Sequence, residues 1–488
     1  MNKNAIFLNI HRFLRIRRIL CQGLIGFCFI FLFSLPVISK DQIGMSKQIN
    51  LLQKEGIDVG IYVYSFHKEA PLYSYNENKS LMTASNLKIL TSLAALKTLG
   101  PNYKFKTRLY IDGKMVGNML KGNLYIKGYG DPKLVSEQLW FLVNELKRKG
   151  FLQVRGDLIL DDSFFDTKRD VESSDGKNGE RAYDAPLGAL SVNFNTTTVY
   201  VQPGEREGRK AKVYIDPDNS YIRVVNQAKT GPVSSTLTLD VSRVALTEGD
   251  TITVSGNIPL LHPEKRFYRN ISDPRSYAAQ LFRRFFKERG IIIQGRNRYE
   301  RVPTSAQELL LYESQPLRAM IADLNRFSNN FIAEQILKTM GAEVKGIPGT
   351  TDKGLSVLKE FLGELHIQEG YHVVNGSGLS QKNKMSALQL VDILKYGYNH
   401  FEWGPEYVSS LAIVGIDGTV EKRLLNTPVY RKTRVKTGSL TDVSAISGYM
   451  GTGSGDVLAF SILMNDSQDR VALMQKTQDE LLLSLYNF

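Results

Sequence analysis

Two residues in the apolar segment "TASNLKILTSLAAL" (83–96) could act together as a nucleophile and its base. Ser85 and Lys88 stand three positions apart at the start of this segment, whose composition is typical of a helix buried on every side. Side chains at this spacing share one helix face, so the hydroxyl and the amine can meet. Burial disfavours the ammonium form and lowers the pKa of a lysine. The spacing therefore predicts a serine hydroxyl activated by a buried lysine.

A second motif, Ser328-x-Asn330, combines a hydroxyl and a side-chain amide much later in the chain. We expect Ser328 to pass a proton to the leaving amine and Asn330 to hold the substrate amide. The five histidines after residue 39 lie in no Gly-x-Ser-x-Gly or comparable setting. A serine–histidine–aspartate triad is therefore not predicted.

The third motif consists of Lys436, Thr437, Gly438 and Ser439. The ammonium and hydroxyls of this motif can bind a substrate carboxylate, and the lysine charge would further lower the pKa of the first lysine. The residue after the glycine can donate its backbone N–H to a developing oxyanion. An earlier Lys-Thr-Gly, at residues 229–231, is followed by Pro232, which has no N–H to donate. The later copy is therefore the predicted functional one.

Each motif alone could have an ordinary structural role. Ser85 could cap the helix while Lys88 extends its amine to solvent. Ser-x-x-Lys also recurs at residues 65–68, 174–177 and 356–359. Only the pair at 85 and 88 opens a buried helix soon after two strands. Three motifs in hydrolase order, the set of penicillin-interacting serine hydrolases, favour catalysis.

The elements that must position these motifs are predicted at both ends of the chain. Two strands, at 56–66 and 70–76, precede the buried helix, and helices return from Ser314 onward. A hairpin-like set of three strands follows Arg431, and a helix from 468 to 486 closes the chain. The third motif falls within this last set of strands.

Between these ends, short alternating strands separated by Gly, Pro and Asp turns indicate a β-rich insertion. We therefore predict an α+β fold, in which an antiparallel sheet with flanking helices is assembled from both ends of the chain. Its two parts are expected over residues 40–102 and 303–488. The insertion, of two small domains, is expected over 103–302.

Residues 1–39 are predicted to be a secretory signal peptide. Five basic residues precede an apolar run from Ile19 to Leu35, and small residues lead to Lys40. The alternative is an uncleaved single-span anchor, but Gln22 interrupts the run and leaves it short for a bilayer. Both cysteines fall in this segment, so the mature chain would have neither a thiol nucleophile nor a disulfide framework.

The charge balance suits an exported protein that works near an anionic polymer. Removal of residues 1–39 would take away five basic residues and no acidic ones, so the formal net charge falls from +13 to 57 − 49 = +8. No dense Lys/Arg stripe with interleaved aromatic residues is present, and nucleic-acid binding is therefore not predicted.

With these motifs, the sequence resembles the D-alanyl-D-alanine carboxypeptidase/endopeptidase family, the class C low-molecular-mass penicillin-binding proteins of peptidase family S13. The resemblance extends over most of the predicted mature chain, and its segments are 83–100, 128–134, 185–204, 375–387, 409–423 and 434–450. The long gap between the first and second motifs also fits, because this family carries two inserted domains there and β-lactamases do not. The fold that the resemblance implies is a penicillin-binding/serine β-lactamase-like domain.

The resemblance implies that Ser85 is the acyl-enzyme nucleophile and Lys88 its base. Ser328 and Asn330 would stand on the opposite wall of the cleft. The strand with Lys436, Thr437, Gly438 and Ser439 would bind the terminal carboxylate. The backbone N–H groups of Ser85 and Ser439 would form the oxyanion hole.

The resemblance also implies the substrates. The family cleaves D-Ala-D-Ala ends of peptidoglycan stem peptides or D-Ala–diamino-acid cross-links, and β-lactams acylate it as covalent inhibitors. No metal or cofactor is implied. The expected location is the periplasm or cell envelope, with membrane contact only through the signal segment. Asp161, in "LILDDSFF", is expected to meet the diamino-acid side chain, and its alternative role is an ordinary strand-end turn.

The sequence departs from the family pattern at two positions. Asn375 stands where the family usually has Asp, and Ser439 replaces a commoner Thr. Asn375 keeps a turn hydrogen bond possible but removes a charge, and Ser439 keeps both the N–H and the hydroxyl. Two other functions remain alternatives: a β-lactamase or esterase on the same scaffold, and a wall-binding scaffold protein without turnover.

Overall fold

The computed structural model describes residues 40–172 and 179–488. The predicted signal peptide and both cysteines lie outside the described residues, and so does the Ser-x-x-Lys pair at 174–177. The chain divides into two compact units, at residues 1–48 and 49–488, and the architecture below is that of the second. Within the described residues no helix is both long enough and apolar enough to cross a bilayer.

Helices are concentrated before and after the middle of the chain. They are α1 (Lys40–Lys54), α2 (Lys88–Leu99), α3 (Ser136–Arg148), α4 (Pro274–Glu288), α5 (Leu317–Arg326), α6 (Asn330–Lys345), α7 (Thr351–Glu364), α8 (Ala387–Asn399), α9 (Gly404–Ser410) and α10 (Val471–Leu485). Short 3₁₀ helices occupy Ala84–Leu87, Ala182–Asp184, Asn193–Asn195 and Gly418–Val420.

Strands occur along the whole described chain and are densest in its middle third. The first are β1 (Asp58–Ser65), β2 (Ala70–Tyr75), β3 (Leu81–Met82), β4 (Lys104–Ile111), β5 (Lys114–Val116), β6 (Met119–Lys121), β7 (Leu124–Gly128), β8 (Gln153–Val154), β9 (Leu158–Asp161), β10 (Thr196–Gln202), β11 (Lys212–Asp216) and β12 (Ile222–Asn226). The others are β13 (Lys229–Gly231), β14 (Asp240–Leu246), β15 (Gly249–Ser255), β16 (Asn257–Pro259), β17 (Lys265–Asn270), β18 (Ile292–Ile293), β19 (Asn297–Tyr299), β20 (Gln307–Pro316), β21 (Lys384–Met385), β22 (Ala412–Ile413), β23 (Thr433–Leu440), β24 (Val443–Gly451) and β25 (Val457–Asn465).

A six-stranded antiparallel sheet draws its strands from both ends of the chain. Its order is β2-β1-β25-β24-β23-β22, so β1 pairs with β25 although some four hundred residues separate them. Strands β24 and β25 are buried along almost their whole length, and almost all their residues are accordingly apolar or small. Helix α8 contacts β25 and β1, and α10 contacts β24.

Helix α2 lies inside the helical core beside this sheet. Its residues from Lys88 to Leu96 are all buried, and it contacts α5, α6, α7, α8 and α9. A helix with no polar face needs cover on every side, and these neighbours supply it. The buried side chains of this core come from residues 81–105 and 317–463, again from both ends of the chain.

We expect Leu93→Ala to reduce stability strongly, because Leu93 of α2 is fully buried in this core. Loss of its side chain removes buried apolar area and leaves a cavity, which lowers the free energy of unfolding by about 2–5 kcal/mol. Urea denaturation measures the change. Leu261→Ala is the matched control, since Leu261 is 77% exposed. Its effect should stay within about 0.5 kcal/mol, and equal effects at the two positions would contradict the buried position of α2.

The middle of the chain forms a second core with its own sheets. A five-stranded sheet has the order β19-β9-β7-β4-β20, and a four-stranded sheet has the order β18-β8-β6-β5. Two three-stranded sheets follow, β11-β10-β17 and β12-β15-β14. The buried side chains of this core all lie between residues 109 and 291, and helices α3 and α4 pack together within it. The predicted α+β class, with an antiparallel sheet, flanking helices and a β-rich insertion, is confirmed.

Candidate active site

Ser85 lies in the 3₁₀ turn Ala84–Leu87, which leads directly into α2. The residue before it, Ala84, has a left-handed backbone with φ 45°. This conformation costs a non-glycine residue about 1–3 kcal/mol and persists where neighbouring structure enforces it. Gly378 packs closely against Ala84: a Cβ atom at Gly378 would stand 1.9 Å from the Ala84 carbonyl oxygen, so only glycine allows this contact. The turn is thus held against the 375–378 loop.

The Lys88 amine is fully buried and stands directly behind Ser85. Its Nζ donates to the Ser85 Oγ at 2.9 Å, to the Asn330 Oδ1 at 2.7 Å and to the Ser377 carbonyl oxygen at 2.6 Å. Burial lowers the pKa of Lys88 to about 7, and the negative charge of Glu334 offsets part of that effect. The Asn330 Oδ1 and Ser377 oxygens can only accept, whereas a hydroxyl can also donate. A neutral Lys88 can therefore donate to those two and accept the Ser85 proton.

The opposite side of the site is built around Lys436 on β23. Its Nζ, also fully buried, donates to the Ser328 Oγ at 2.9 Å and to the Thr437 carbonyl oxygen at 2.6 Å. Ser328 has a left-handed backbone with φ 56°, and Asn329 after it caps helix α6. Burial and then the charge of Lys88 hold the pKa of Lys436 well below its usual value. Two buried lysines therefore each contact one serine hydroxyl.

Strand β23 runs directly beside the turn that carries Ser85. A Cβ atom on Gly438 would stand 2.7 Å from the Thr83 carbonyl oxygen and 2.8 Å from the Ser85 nitrogen, so only glycine fits there. The Thr437 and Thr419 hydroxyl oxygens are 2.6 Å apart. Ser439 is exposed, and its Oγ accepts a long hydrogen bond of 3.4 Å from Gln475.

These residues border a cavity of about 860 Å³. Ser85, Ser328, Asn330 and Ser439 line it, while the two lysines lie behind its wall. The β-rich middle of the chain supplies the facing wall, with lining residues Gly179, Glu180, Arg181, Tyr183, Asp184, Asp240, Val241, Ser242 and Arg269. The structure thus brings together every residue of the three predicted motifs around one opening.

Asp161 is not brought to this opening. It lines a different cavity, of about 390 Å³. Its carboxylate forms an ion pair with Lys127 at 3.0 Å and accepts backbone N–H bonds from Ser163 and Val302, both at 2.9 Å. Burial raises its pKa, but these hydrogen bonds outweigh burial and hold the pKa of Asp161 below its usual range. Its contacts are those of a strand-end turn.

The other copies of the Ser-x-x-Lys and Lys-Thr-Gly motifs that the structure describes also lie away from this cavity. The Lys-Thr-Gly at 229–231 forms strand β13, which pairs with β16 in the middle of the chain. Ser65 donates its hydroxyl to Asp456 at 2.5 Å, and the pair at 356–359 lies on the separate helix α7. None of these residues lines the cavity around Ser85.

Three residues of the site belong to none of the three predicted motifs. Glu334 follows Asn330 by one helical turn, a spacing that could have revealed it. Ser377 lies in the turn "NGSG", where Asn375 Oδ1 accepts from the Gly378 N–H at 3.0 Å, so the turn hydrogen bond is present without the family's usual Asp. The Tyr183 carbonyl accepts a weak 3.5 Å bond from Asn330, and no sequence pattern indicates this contact.

The fold is that of penicillin-binding proteins. The structure matches penicillin binding protein 4 of Haemophilus influenzae with a TM-score of 0.79, at 24% identity over 90% of this chain and 99% of that one. It also matches a predatory peptidoglycan endopeptidase of Bdellovibrio bacteriovorus with a TM-score of 0.53, at 15% identity over 88% and 93%. The predicted penicillin-binding/serine β-lactamase-like fold is therefore confirmed.

Sequence comparison gives the family. A model of the D-Ala-D-Ala carboxypeptidase 3 (S13) family matches residues 46–484. A D-alanyl-D-alanine carboxypeptidase from an Actinomadura species is 33% identical over 426 residues, which are 84% of this chain and 78% of that protein. The chain therefore belongs to the D-Ala-D-Ala carboxypeptidase 3 (S13) family of serine hydrolases, and the resemblance drawn from its motifs is confirmed.

Proposed function

We propose that this chain is an exported serine D,D-peptidase of the cell envelope. It removes the terminal D-Ala from peptidoglycan stem peptides, or cuts D-Ala–diamino-acid cross-links, through an acyl-enzyme on Ser85. The same serine is acylated by penicillins. The observation that carries the proposal is the 2.9 Å contact between the Ser85 hydroxyl and the buried Lys88 amine, at the edge of an open cavity.

In the first step the neutral Lys88 amine takes the proton of the Ser85 hydroxyl. The Ser85 Oγ then attacks the carbonyl carbon of the penultimate D-Ala. Negative charge develops on the carbonyl oxygen, and we assign the backbone N–H groups of Ser85 and Ser439 to its stabilisation. The close packing of Gly438 against the Ser85 nitrogen supports this arrangement, because it brings the two backbone segments into contact.

In the second step the tetrahedral intermediate collapses and the C–N bond breaks. The leaving amine needs a proton: the Lys88 ammonium gives up the proton taken in the first step, and Ser328, whose hydroxyl contacts Lys436 at 2.9 Å, passes it onward. Lys88 is thereby neutral again. Asn330 holds the substrate amide, while Lys436 and Thr437 bind the terminal carboxylate. An opposite charge favours the ammonium form, so the bound carboxylate raises the pKa of Lys436 and strengthens the pair.

In the third step water attacks the Ser85 ester and releases the shortened peptide. Lys88 again acts as the base, now for the water proton, and the serine hydroxyl is restored. A β-lactam follows the first two steps only, since the amine freed by C–N cleavage stays tethered after the ring opens and obstructs the incoming water. The Haemophilus protein has been solved with a β-lactam and the Bdellovibrio protein as a penicillin G acyl form, which supports penicillin binding in this fold.

The direct test supplies the purified protein with a stem pentapeptide ending in D-Ala-D-Ala and, separately, with cross-linked muropeptides. We expect release of one D-Ala from the first or conversion of cross-linked to uncross-linked products in the second. Chromatography with mass spectrometry identifies the bond that is cut. A folded protein that binds these substrates and leaves both intact would refute the proposed activity and favour the scaffold alternative.

The pH dependence of acylation follows from the pKa of Lys88, which is about 7. Only the neutral amine can accept the Ser85 proton, so the second-order rate with benzylpenicillin should rise with pH through about 7 and then level off. At pH 5 it should be about 100-fold below that plateau, because about 1% of the amine is neutral there. Circular dichroism at each pH checks the fold. A rate that stays constant between pH 5 and 8 would exclude Lys88 as the base.

Gly438→Ala should slow acylation about 100-fold, since displacement of a reacting group by about 1 Å has effects of this size. The added Cβ would stand 2.8 Å from the Ser85 nitrogen and would force β23 and the serine turn apart. Stopped-flow kinetics with a chromogenic cephalosporin measures the rate. Gly363→Ala is the matched control, because Gly363 in α7 has open space around its Cβ position. Equal rates for the two variants would contradict the close contact.

A further inference from the structure

Glu334 is a buried carboxylate that the proposed mechanism does not use. It lies on α6, one helical turn after Asn330, and is 2% exposed. Its two oxygens accept the backbone N–H of Gly376 at 3.0 and 3.1 Å, and one also accepts that of Ser377 at 2.7 Å. In the described part of the chain no Lys, Arg or His nitrogen forms an ion pair with it. A buried charge without a contacting cation needs a reason.

The contacts of the Ser377 peptide group explain why the Glu334 carboxylate is buried there. Its N–H group points to Glu334, and its carbonyl oxygen accepts from the Lys88 Nζ at 2.6 Å. The turn is closed by Asn375, whose Oδ1 accepts from Gly378, and Thr91 donates its hydroxyl to the Gly376 carbonyl at 2.7 Å. Glu334 and Lys88 thus hold opposite sides of the same turn.

In the described part of the chain, few charged groups lie near Lys88 and Glu334. Lys88 lies near Lys436 of β23 and Glu334 of α6, and Glu334 is the acidic group whose charge acts on Lys88. On its other side Glu334 borders a cavity of about 480 Å³, whose charged lining residues are Lys168, Asp170, Glu172 and Asp352. Burial raises the pKa of Glu334 above its usual value, although hydrogen bonds from the Ser377 side chain and the turn N–H groups, and then the charge of Lys88, oppose that change.

We propose that Glu334 is a positioning residue for the reaction: it orients the Lys88 amine through the Ser377 turn and supplies the negative charge that balances it. The inference rests on the proposed role of Lys88 as the base. In this arrangement the Glu334 carboxylate favours the ammonium form of Lys88, while burial favours the neutral form. Loss of the carboxylate should therefore make Lys88 a weaker base that is neutral at lower pH.

The test is the pH profile of benzylpenicillin acylation by Glu334→Gln. The amide keeps the side-chain size and one acceptor but loses the charge. We expect the acid limb of the profile to move to lower pH by about 0.5–1 unit. The rate at pH 5, relative to the variant's own plateau, should then be about 3–10-fold higher than in the native protein. The plateau itself should fall, because the amide NH₂ cannot accept the Gly376 N–H that the second carboxylate oxygen shares in the native protein.

Thr91→Val is the matched control. It removes a different side-chain hydrogen bond to the same turn without a change of charge, so it should lower the plateau and leave the acid limb in place. A merely structural role of Glu334 would give this same result in Glu334→Gln. An acid limb that does not move in Glu334→Gln would therefore overturn the inference.

A second variant covers the case in which Glu334→Gln fails to fold. Glu334→Asp keeps the charge but withdraws it by one methylene from the turn, so its acid limb should move in the same direction by a smaller amount. An unmoved limb in a folded Glu334→Asp would overturn the inference. If the native protein itself forms no adduct, the proposed function fails instead, and the two failures are thereby distinguished.

Discussion

Ser85→Ala is expected to abolish benzylpenicillin acylation and to reduce D-Ala release by at least about 10⁴-fold, as for other catalytic serines. The variant lacks the atom that attacks the carbonyl, and among the residues that the structure describes no second hydroxyl is hydrogen-bonded to the Lys88 amine. Ser328 cannot replace it, because its hydroxyl is held by Lys436 on the other side of the site. Alanine fits the partly buried turn, so the fold should be retained. The measurement is the initial rate of D-Ala release.

Ser242→Ala is the control for this substitution. Ser242 lines the same cavity from the facing wall but belongs to strand β14, apart from the three motifs. Its loss should change the rate by less than about tenfold, the scale of one neutral hydrogen bond. If Ser85→Ala released D-Ala as fast as Ser242→Ala, Ser85 would not be the nucleophile.

Lys88→Met is expected to slow acylation by about 10²–10⁴-fold, the range for loss of a positioned general base. Methionine suits the buried position in size, but it leaves the Asn330 Oδ1 and the Ser377 carbonyl without their donor. The remaining slow reaction should also lose the rise in rate near pH 7, because the titrating group is gone. Stopped-flow kinetics over pH 5–9 measures both effects.

Lys97→Met provides the matched control on the same helix. Lys97 forms its ion pair with Glu364 near the end of α2, away from the cavity. Its substitution should leave the acylation rate and pH profile unchanged. If Lys88→Met acylated at the native rate with the native pH profile, another group would have to be the base, and the mechanism proposed here would be wrong.

The nucleophile pair and the sheet beside it could be predicted because local spacing and composition determine them. Ser85 and Lys88 are three positions apart, and the segments at 433–465 follow one another with short connections, as in an antiparallel hairpin set. The structure differs in detail. Ser85 lies in a 3₁₀ turn rather than in the helix itself, because Ala84 adopts a left-handed backbone that composition does not indicate.

Two helices of the middle region were not predicted among its strands. Helix α3 buries Leu139, Leu142, Val143 and Leu146, and this i, i+3, i+4, i+7 spacing of apolar residues is itself typical of a helix. Helix α4 begins at an Asp273 cap followed by Pro274, which is also a recognisable start signal. Both helices lie between short alternating strands, and the strand pattern of the surrounding segments dominates the prediction for the whole region.

Contacts between distant parts of the chain could not be read from the sequence. The wall formed by Tyr183 and its neighbours meets Asn330 only because the second core is docked beside the first. The predicted insertion boundaries at 102 and 302 stay predictions. Strand β20, Gln307–Pro316, pairs with β4 in the five-stranded sheet, although it begins after the second of these boundaries. Pairing across two hundred residues leaves no local signal.

The most direct test of a serine acyl-enzyme is intact-protein mass spectrometry after incubation with benzylpenicillin. We expect one adduct with the mass of the whole antibiotic, because ring opening releases no fragment, and a digest should locate it on the peptide that contains Ser85. The adduct should be absent from Ser85→Ala and should form slowly in Lys88→Met. A folded native protein with no adduct, or an adduct on another residue, would contradict the central claim.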